Sequence, residues 1–273
     1  MTLETLDQWP VGTAAAAVVG RSGVLETRGP VDHEFHLASV TKALAALAVL
    51  VAVEEEAVKL DDAADEAVVP GATLRHLLAH ASGYAPERPM RAAAPGTRRI
   101  YSNVGIERAG ALVEAATDMP FATYLTEAVA GPLRLRATSL PGSPARDGVS
   151  TAADLARVLH ELLSPTGLLS TQTLCDATSV QFPGLRGVLP GFGAQDPNDW
   201  GLGFEIRATK SPHWTGAHNS PDTYGHFGQA GTMLWVDPVA KVGLVALTDR
   251  DFGPWAAQAW PVLSDAVLDR YRA

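Results

Sequence analysis

Ser39 and Lys42 stand three residues apart, immediately before Ala43 to Val53, eleven consecutive residues without a polar side chain. Three apart on a helix, a hydroxyl and an amine share one face. A serine at a helix N-terminus sits where free N–H groups and the macrodipole favour negative charge, so an alkoxide or tetrahedral oxyanion would be stabilised there. The apolar run beside Lys42 disfavours the charged form of the amine and lowers its pKa. A neutral amine can then accept the serine proton, which makes the pair an activated nucleophile. The competing reading is plainer: a serine cap followed by a lysine whose stem lies along apolar surface with its head in water.

Two further segments bear on that choice. Tyr101-Ser102-Asn103 offers a phenol and an amide, and His226-Phe227-Gly228 offers an imidazole just before an expected strand. Tyr101 taken alone reads as a buried aromatic with one hydrogen bond. In order along the chain, the three segments spell S-x-x-K, Y-x-N and H-x-G, separated by 62 residues from Ser39 to Tyr101 and 125 from Tyr101 to His226.

With these motifs the sequence resembles the serine β-lactamase and penicillin-binding-protein-like hydrolases, particularly the class C β-lactamase, D-Ala-D-Ala carboxypeptidase and esterase branch. The phrases LRHLLAHASG, PGTRRIYSN, GVSTAADLARVL, GLGFEI and GTMLWVDP strengthen the resemblance, which spans roughly residues 13 to 250. It implies that Ser39 is the acylated nucleophile, with Lys42 as its base or as the partner that tunes one. It implies that Tyr101 shares the acid/base work with Lys42, and which of the two takes the serine proton stays open. Asn103 would hydrogen-bond Lys42 and the substrate's acyl-side amide. The backbone N–H groups of Ser39 and of Gln229, which follows Gly228, would form the oxyanion hole.

His226 departs from the Lys-Thr-Gly that many members carry to grip a substrate carboxylate. Imidazole is largely neutral near pH 7, and Phe227 has no hydroxyl. The expected substrates are therefore small neutral esters or amides. A β-lactamase or D-amino-acid peptidase is the first alternative, and a non-catalytic ligand-binding protein on the same scaffold is the second.

These side chains need a frame. Thr13 to Gly29 reads as two strands around a tight turn, and TMLWVD and KVGLVALTD as a hairpin. GLGFEIRA reads as a strand, and 182–198 as a wandering Gly/Pro-rich segment whose neighbourhood could leave the cleft open or differently covered. Helices are expected from about Ser39, over Thr73 to Gly83 with Thr73 as cap, from about Val104 to Thr117, in PFATYLTEAVAGPL and TAADLARVLHELLS with capping Ser or Thr, and in PWAAQAWPVLSDAVLDRYR. The order predicts an α/β fold: an antiparallel sheet of five to seven strands, built from residues 1–60 and 200–273 and flanked by helices, with an inserted all-α region at 61–199 and the site at their seam.

Composition narrows the partners. A net charge of −9 argues against nucleic acid and anionic lipid. The apolar run is short of the ~20 residues of a spanning helix, and no export signal precedes it, so a cytoplasmic protein is expected. The single cysteine, Cys175, precludes an internal disulfide and is expected to be a small buried hydrophobe. His33 to His36, His80, and the trio His213, His218 and His226 lack metal-site spacing, so no metal or organic cofactor is expected. His80 is read as a packing residue. Trp200, Trp214 and Trp255 are candidates for lining the cleft, Trp214 foremost. No oligomeric state is legible.

Overall fold

The computed structural model describes residues 2–272. A 3-10 helix, Thr2–Gln8, leads into β1 (Ala14–Gly20), β2 (Gly23–Arg28) and β3 (Phe35–His36). A 3-10 turn at Ala38–Val40 runs directly into α1 (Thr41–Glu54), followed by α2 (Leu74–Leu78), α3 (Asn103–Thr117) and α4 (Phe121–Leu125), which widens into a π turn at Thr126–Ala130. Then come β4 (Val149–Ser150), α5 (Ala152–Leu163), α6 (Thr171–Ala177), and the small hairpin of β5 (Gly187–Leu189) and β6 (Gly193–Gln195). β7 (Glu205–Ile206), β8 (Tyr224–Gly228), β9 (Thr232–Asp237), β10 (Val242–Thr248) and α7 (Pro254–Tyr271) complete the chain.

The central sheet has six strands in the order β2-β1-β10-β9-β8-β7, and every neighbouring pair is antiparallel. The expected α/β architecture is therefore present. Both faces of the sheet are covered, and the period of two along each strand sorts the side chains between two cores. Ala15, Ala17, Val19, Leu234, Val236, Val245 and Leu247 join the core that holds α1 and α5. Their alternates Ala16, Val18, Met233, Trp235, Leu244 and Ala246 pack with Leu3, Leu6 and the α7 residues Ala256, Trp260 and Leu263.

α1 is buried on every side from Thr41 to Ala52. A helix apolar all round belongs inside a protein, and this one is the post on which the site is mounted. Packing supplies its stability, because no side chain caps its N-terminus.

Several local expectations are revised. The helix expected from Ser39 begins at Thr41, with Ser39 in the 3-10 turn ahead of it. GLGFEIRA pairs as a strand only at Glu205–Ile206. Gly203 holds φ at +83° and an added Cβ would lie 2.1 Å from Ala46 Cβ, so the backbone turns against α1 there instead of extending. α4 has Pro120 at its N-cap and so no side-chain cap, whereas α5 has its expected Thr151 cap, which accepts from Asp154 N at 3.1 Å. Cys175 is exposed rather than buried. Ala177 is the buried residue of α6 and Leu174 packs partly against the core, and a side chain two positions from Ala177 on a helix points to the opposite face.

Candidate active site

The nucleophile turn is strained. Ala38, directly before Ser39, has φ of +46°, a conformation that costs free energy for a residue with a Cβ and survives where its surroundings enforce it. The enforcement is visible. Leu37 N donates to Gly148 O at 2.8 Å, and Thr232 Oγ1 on β9 donates to Leu37 O at 2.7 Å. Gly228 closes the contact from β8, since a Cβ there would meet Leu37 O at 2.3 Å and Thr232 Oγ1 at 2.5 Å. The glycine lets the strand lie against the turn.

Tyr101 and Asn103 reach the same place because the residue between them caps a helix. Ser102 Oγ accepts from Gly105 N at 3.1 Å and donates to Ala85 O at 2.8 Å. Asn103 thus opens the first turn of α3, and Tyr101 ends the segment before it. His80 holds that segment from behind. Its Nδ1 accepts from Ser102 N at 3.2 Å, its carbonyl accepts from Ile100 N at 2.9 Å, and its ring lies 4.7 Å from the Tyr101 ring. Arg99 is also buried and donates to Asn198 O at 3.0 Å and Gln181 O at 2.7 Å, fastening 180–199 beside the site.

Around Lys42 the geometry is tight. Nζ lies 2.6 Å from Asn103 Oδ1, 2.7 Å from Ala145 O and 3.2 Å from Ser39 Oγ. It also lies 4.7 Å from the centre of the Tyr101 ring, and Ser39 sits close enough to the Tyr101 phenol to bear on its ionisation. Burial, aided by the nearby Arg146 guanidinium, pulls the Lys42 pKa down to about 7, although Glu87 and Glu107 oppose it. A neutral amine has two N–H donors and one lone pair. The Asn103 and Ala145 oxygens take the two donors, which leaves the lone pair for the Ser39 hydroxyl. Burial pushes the Tyr101 phenol well above its ordinary value despite the opposing effect of Ser39, so it stays protonated near neutrality.

Asn103 has less freedom than the resemblance implies. Its Nδ2 donates to Glu87 Oε1 at 2.5 Å, and Glu87 in turn accepts from Arg146 at 3.2 Å. This fixes the amide with its oxygen toward Lys42, leaving one N–H for anything else.

A cavity of about 160 Å³ opens beside Ser39 and Tyr101, with Trp200, His226, Phe227 and Gln229 in its walls. Gly228 is the strand's contact point rather than a wall. His226 lies on β8 itself and not ahead of it. Its ring is 5.9 Å from that of Tyr101 and 5.5 Å from that of Trp200. Burial and the Lys42 charge pull its pKa down to about 3. Leu189 and Pro190 of the β5–β6 hairpin also line the cavity, so the segment expected to wander covers the site. Of the three tryptophans, Trp200 lines it; Trp214 and Trp255 pack instead with the second core.

One cluster in the wall escaped sequence reasoning. Glu205 is buried and lines the cavity. It forms an ion pair with the buried Lys210, and its Oε2 accepts from His213 Nε2 and from Trp214 Nε1, each at 2.9 Å. Burial alone would raise the Glu205 pKa, but His213 and Lys210 outweigh it and hold the carboxyl well below the ordinary range. The available signal was a lone glutamate between apolar neighbours in GFEIR, with a lysine five residues on and a histidine eight on. For Ala145 no signal exists, because its contribution is a backbone carbonyl.

The Beta-lactamase family model matches residues 6–268. A crystal structure of a beta-lactamase from Mycobacterium bovis is 54% identical, with a TM-score of 0.97 over 100% of both chains. A simvastatin synthase from Aspergillus terreus is 18% identical with a TM-score of 0.82, covering 98% of this chain and 96% of its own, a likeness of fold alone. A Salmonella schwarzengrund protein provisionally named D-alanyl-D-alanine carboxypeptidase is 27% identical over 59% of this chain. The match takes in 48% of that protein, so the chain spans about half the length of the curated relatives it matches. Among the described residues, no helix is long and apolar enough to cross a membrane.

Proposed function

The chain belongs to the Beta-lactamase family, and from that premise we propose that it is a serine hydrolase that cleaves small neutral esters or amides through an acyl-enzyme on Ser39. The observation that carries this reading is the meeting of hydroxyl, amine and phenol beside one cavity. Lys42 is the base for acylation. Its amine titrates near neutrality whereas the Tyr101 phenol is held far above it, and a base works best with a pKa close to the operating pH. Ser39 passes its proton to Lys42 Nζ as Oγ attacks the carbonyl. Tyr101, which shares the cavity wall with Ser39, protonates the departing alcohol or amine. Water then attacks the ester on Ser39 and gives its proton to the Tyr101 phenolate, while the Lys42 ammonium returns a proton to Ser39 Oγ as the acid departs, restoring both groups. The backbone N–H groups of Ser39 and Gln229 are assigned to the oxyanion. Asn103 orients Lys42, and its remaining N–H is the one available to substrate.

Two expected outcomes follow directly. Because only neutral Lys42 is a base, kcat/KM for p-nitrophenyl acetate should rise tenfold per pH unit below about 7 and level off above it. A profile flat from pH 5 to 9, measured at constant ionic strength, would remove Lys42 from that role. Gly228→Ala should force β8 away from Leu37 and lower kcat/KM by roughly 100-fold, since a displacement of about 1 Å at reacting groups costs that much. Unchanged activity in a folded Gly228→Ala protein would show that the close packing has no part in catalysis.

The substrate preference rests on β8, where neutral His226 and the hydroxyl-free Phe227 replace groups that could grip a carboxylate. A second reading, hydrolysis of β-lactams, is favoured by the full-length likeness to the Mycobacterium bovis beta-lactamase. Purified protein given p-nitrophenyl acetate and nitrocefin decides between them. Faster turnover of the ester supports the first reading, and much faster cleavage of nitrocefin supports the second.

A further inference from the structure

The β5–β6 hairpin is tied down at both ends. At its base, Arg99 donates from its backbone N–H to Arg186 O at 3.0 Å, and from its guanidinium to Phe182 O at 3.2 Å and Asn198 O at 3.0 Å. A Cβ on Gly187 would lie 2.3 Å from Arg99 O, so β5 starts in contact with the segment that ends in Tyr101. At its tip, the Phe192 ring lies 5.7 Å from the rings of both Phe227 and Phe252, and Phe252 lies 5.2 Å from Trp260. Gly191 is pressed so close to Phe252 that a Cβ would meet its ring at 2.6 Å.

Between these anchors Leu189 and Pro190 form one side of the cavity that also contains Ser39 and Tyr101. Pro190 and Gln229 are exposed, and Ser39 and Tyr101 are half-buried, so the void is reached from solvent past these residues. Its volume of about 160 Å³ is close to the ~150 Å³ of a void that holds one benzene molecule. Leu189, Pro190, Trp200 and Phe227 give it apolar sides. Close-packed clusters transmit strain instead of stretching. A larger occupant would have to break the Phe192 stack or the Arg99 hydrogen bonds.

We propose that the β5–β6 hairpin is a fixed roof that limits this cavity to one benzene-sized apolar group. The enzyme therefore selects esters or amides whose entering half carries a single unsubstituted ring or an alkyl group of like bulk. Leu189 is the specificity-determining residue, and Phe192 is a positioning residue that acts through the hairpin. The inference deepens the hydrolase reading and rests on it for its kinetic consequences.

Two matched pairs of substrates test it, one for each half of the ester. The first is p-nitrophenyl phenylacetate against p-nitrophenyl 4-isopropylphenylacetate. The second is benzyl acetate against 4-isopropylbenzyl acetate. The methylene spacer keeps the reacting carbonyl alike within each pair. The unsubstituted member should exceed its isopropyl twin in kcat/KM by at least about tenfold in one pair or both, since even one surplus methylene in an apolar pocket costs that much. Leu189→Ala takes away the same isopropyl group that the larger substrate adds, and the ratio should fall toward one. In Phe192→Ala, which frees the tip, it should fall as well. Val188→Ala, at the exposed neighbour on the other face of β5, should keep both the wild-type ratio and the wild-type rate. Because each ratio is taken within one protein, a smaller folded fraction does not change it.

Equal rates within both pairs, an unchanged ratio in Leu189→Ala, or an equal change in Val188→Ala would overturn the inference while leaving hydrolysis intact. Loss of the hydrolase reading is recognised separately, by absence of turnover of p-nitrophenyl acetate. The size limit is then still read from binding to the Ser39→Ala protein by saturation-transfer NMR. Phenylacetamide should bind and 4-isopropylphenylacetamide should not, and Leu189→Ala added to that protein should admit both. Equal binding of the two amides before that change would end the case for a fixed roof.

Discussion

Ser39→Ala should reduce hydrolysis of p-nitrophenyl acetate by at least about 10⁴-fold, and the acyl adduct seen by intact mass in wild-type protein should disappear. A nucleophile splits one difficult displacement into two easier ones. Without its oxygen the Lys42 amine has nothing to activate within 3.2 Å, and only binding and oxyanion stabilisation remain. Lys42→Met should fall nearly as far, because residues that act as one unit do not contribute additively. The two variants fail differently. Ser39→Ala cannot be acylated at all, whereas Lys42→Met keeps the hydroxyl and should acylate slowly with a highly activated ester. Turnover surviving in Ser39→Ala would move the chemistry to another residue. An adduct that mapped to any other side chain would do the same.

Glu205→Leu should lower stability by about 3–5 kcal/mol, the cost of breaking a buried ion pair by removing one partner. For a chain of this size that is a fall in Tm of roughly 10 °C. The Lys210 ammonium would be left with only the carbonyls of Asp199 and Ile206, and the His213 and Trp214 hydrogen bonds to the carboxylate would be lost as well. The double variant Glu205→Leu, Lys210→Met should recover much of the loss, because an apolar pair removes both desolvated charges together. Thermal unfolding followed by circular dichroism measures both. A single variant melting within about 2 °C of wild type would mean that water reaches the cluster and the charges are not truly desolvated. Because Glu205 also lines the cavity, the single variant should lose activity before it unfolds.

Much of this protein could be read from its chain, and the reasons are local. The short apolar runs at Ala14–Gly20 and Val242–Thr248, the all-apolar α1, and the caps at Thr73 and Thr151 are signals carried within a few residues. The motif serine, lysine, tyrosine and asparagine were legible because their types and order are distinctive. Cys175 was misread because its burial depends on which face of a two-turn helix meets the core. The segment 182–198 was misread because Arg99, more than eighty residues before it, supplies hydrogen bonds that hold both its ends, at Phe182 and Asn198.

The sequence alone determined which chemical groups exist and which elements carry them, since helix and strand periodicity and capping are properties of neighbouring residues. Only the tertiary structure decided what those groups can do. The Lys42 pKa is set by burial and by Arg146 from a distant loop, the rotamer of Asn103 by Glu87, the tautomer of His226 by a carbonyl, and the strain at Ala38 by strands β8 and β9. Each of these is a through-space quantity, a distance or a loss of water, and the linear order of residues does not encode it until the chain has closed on itself.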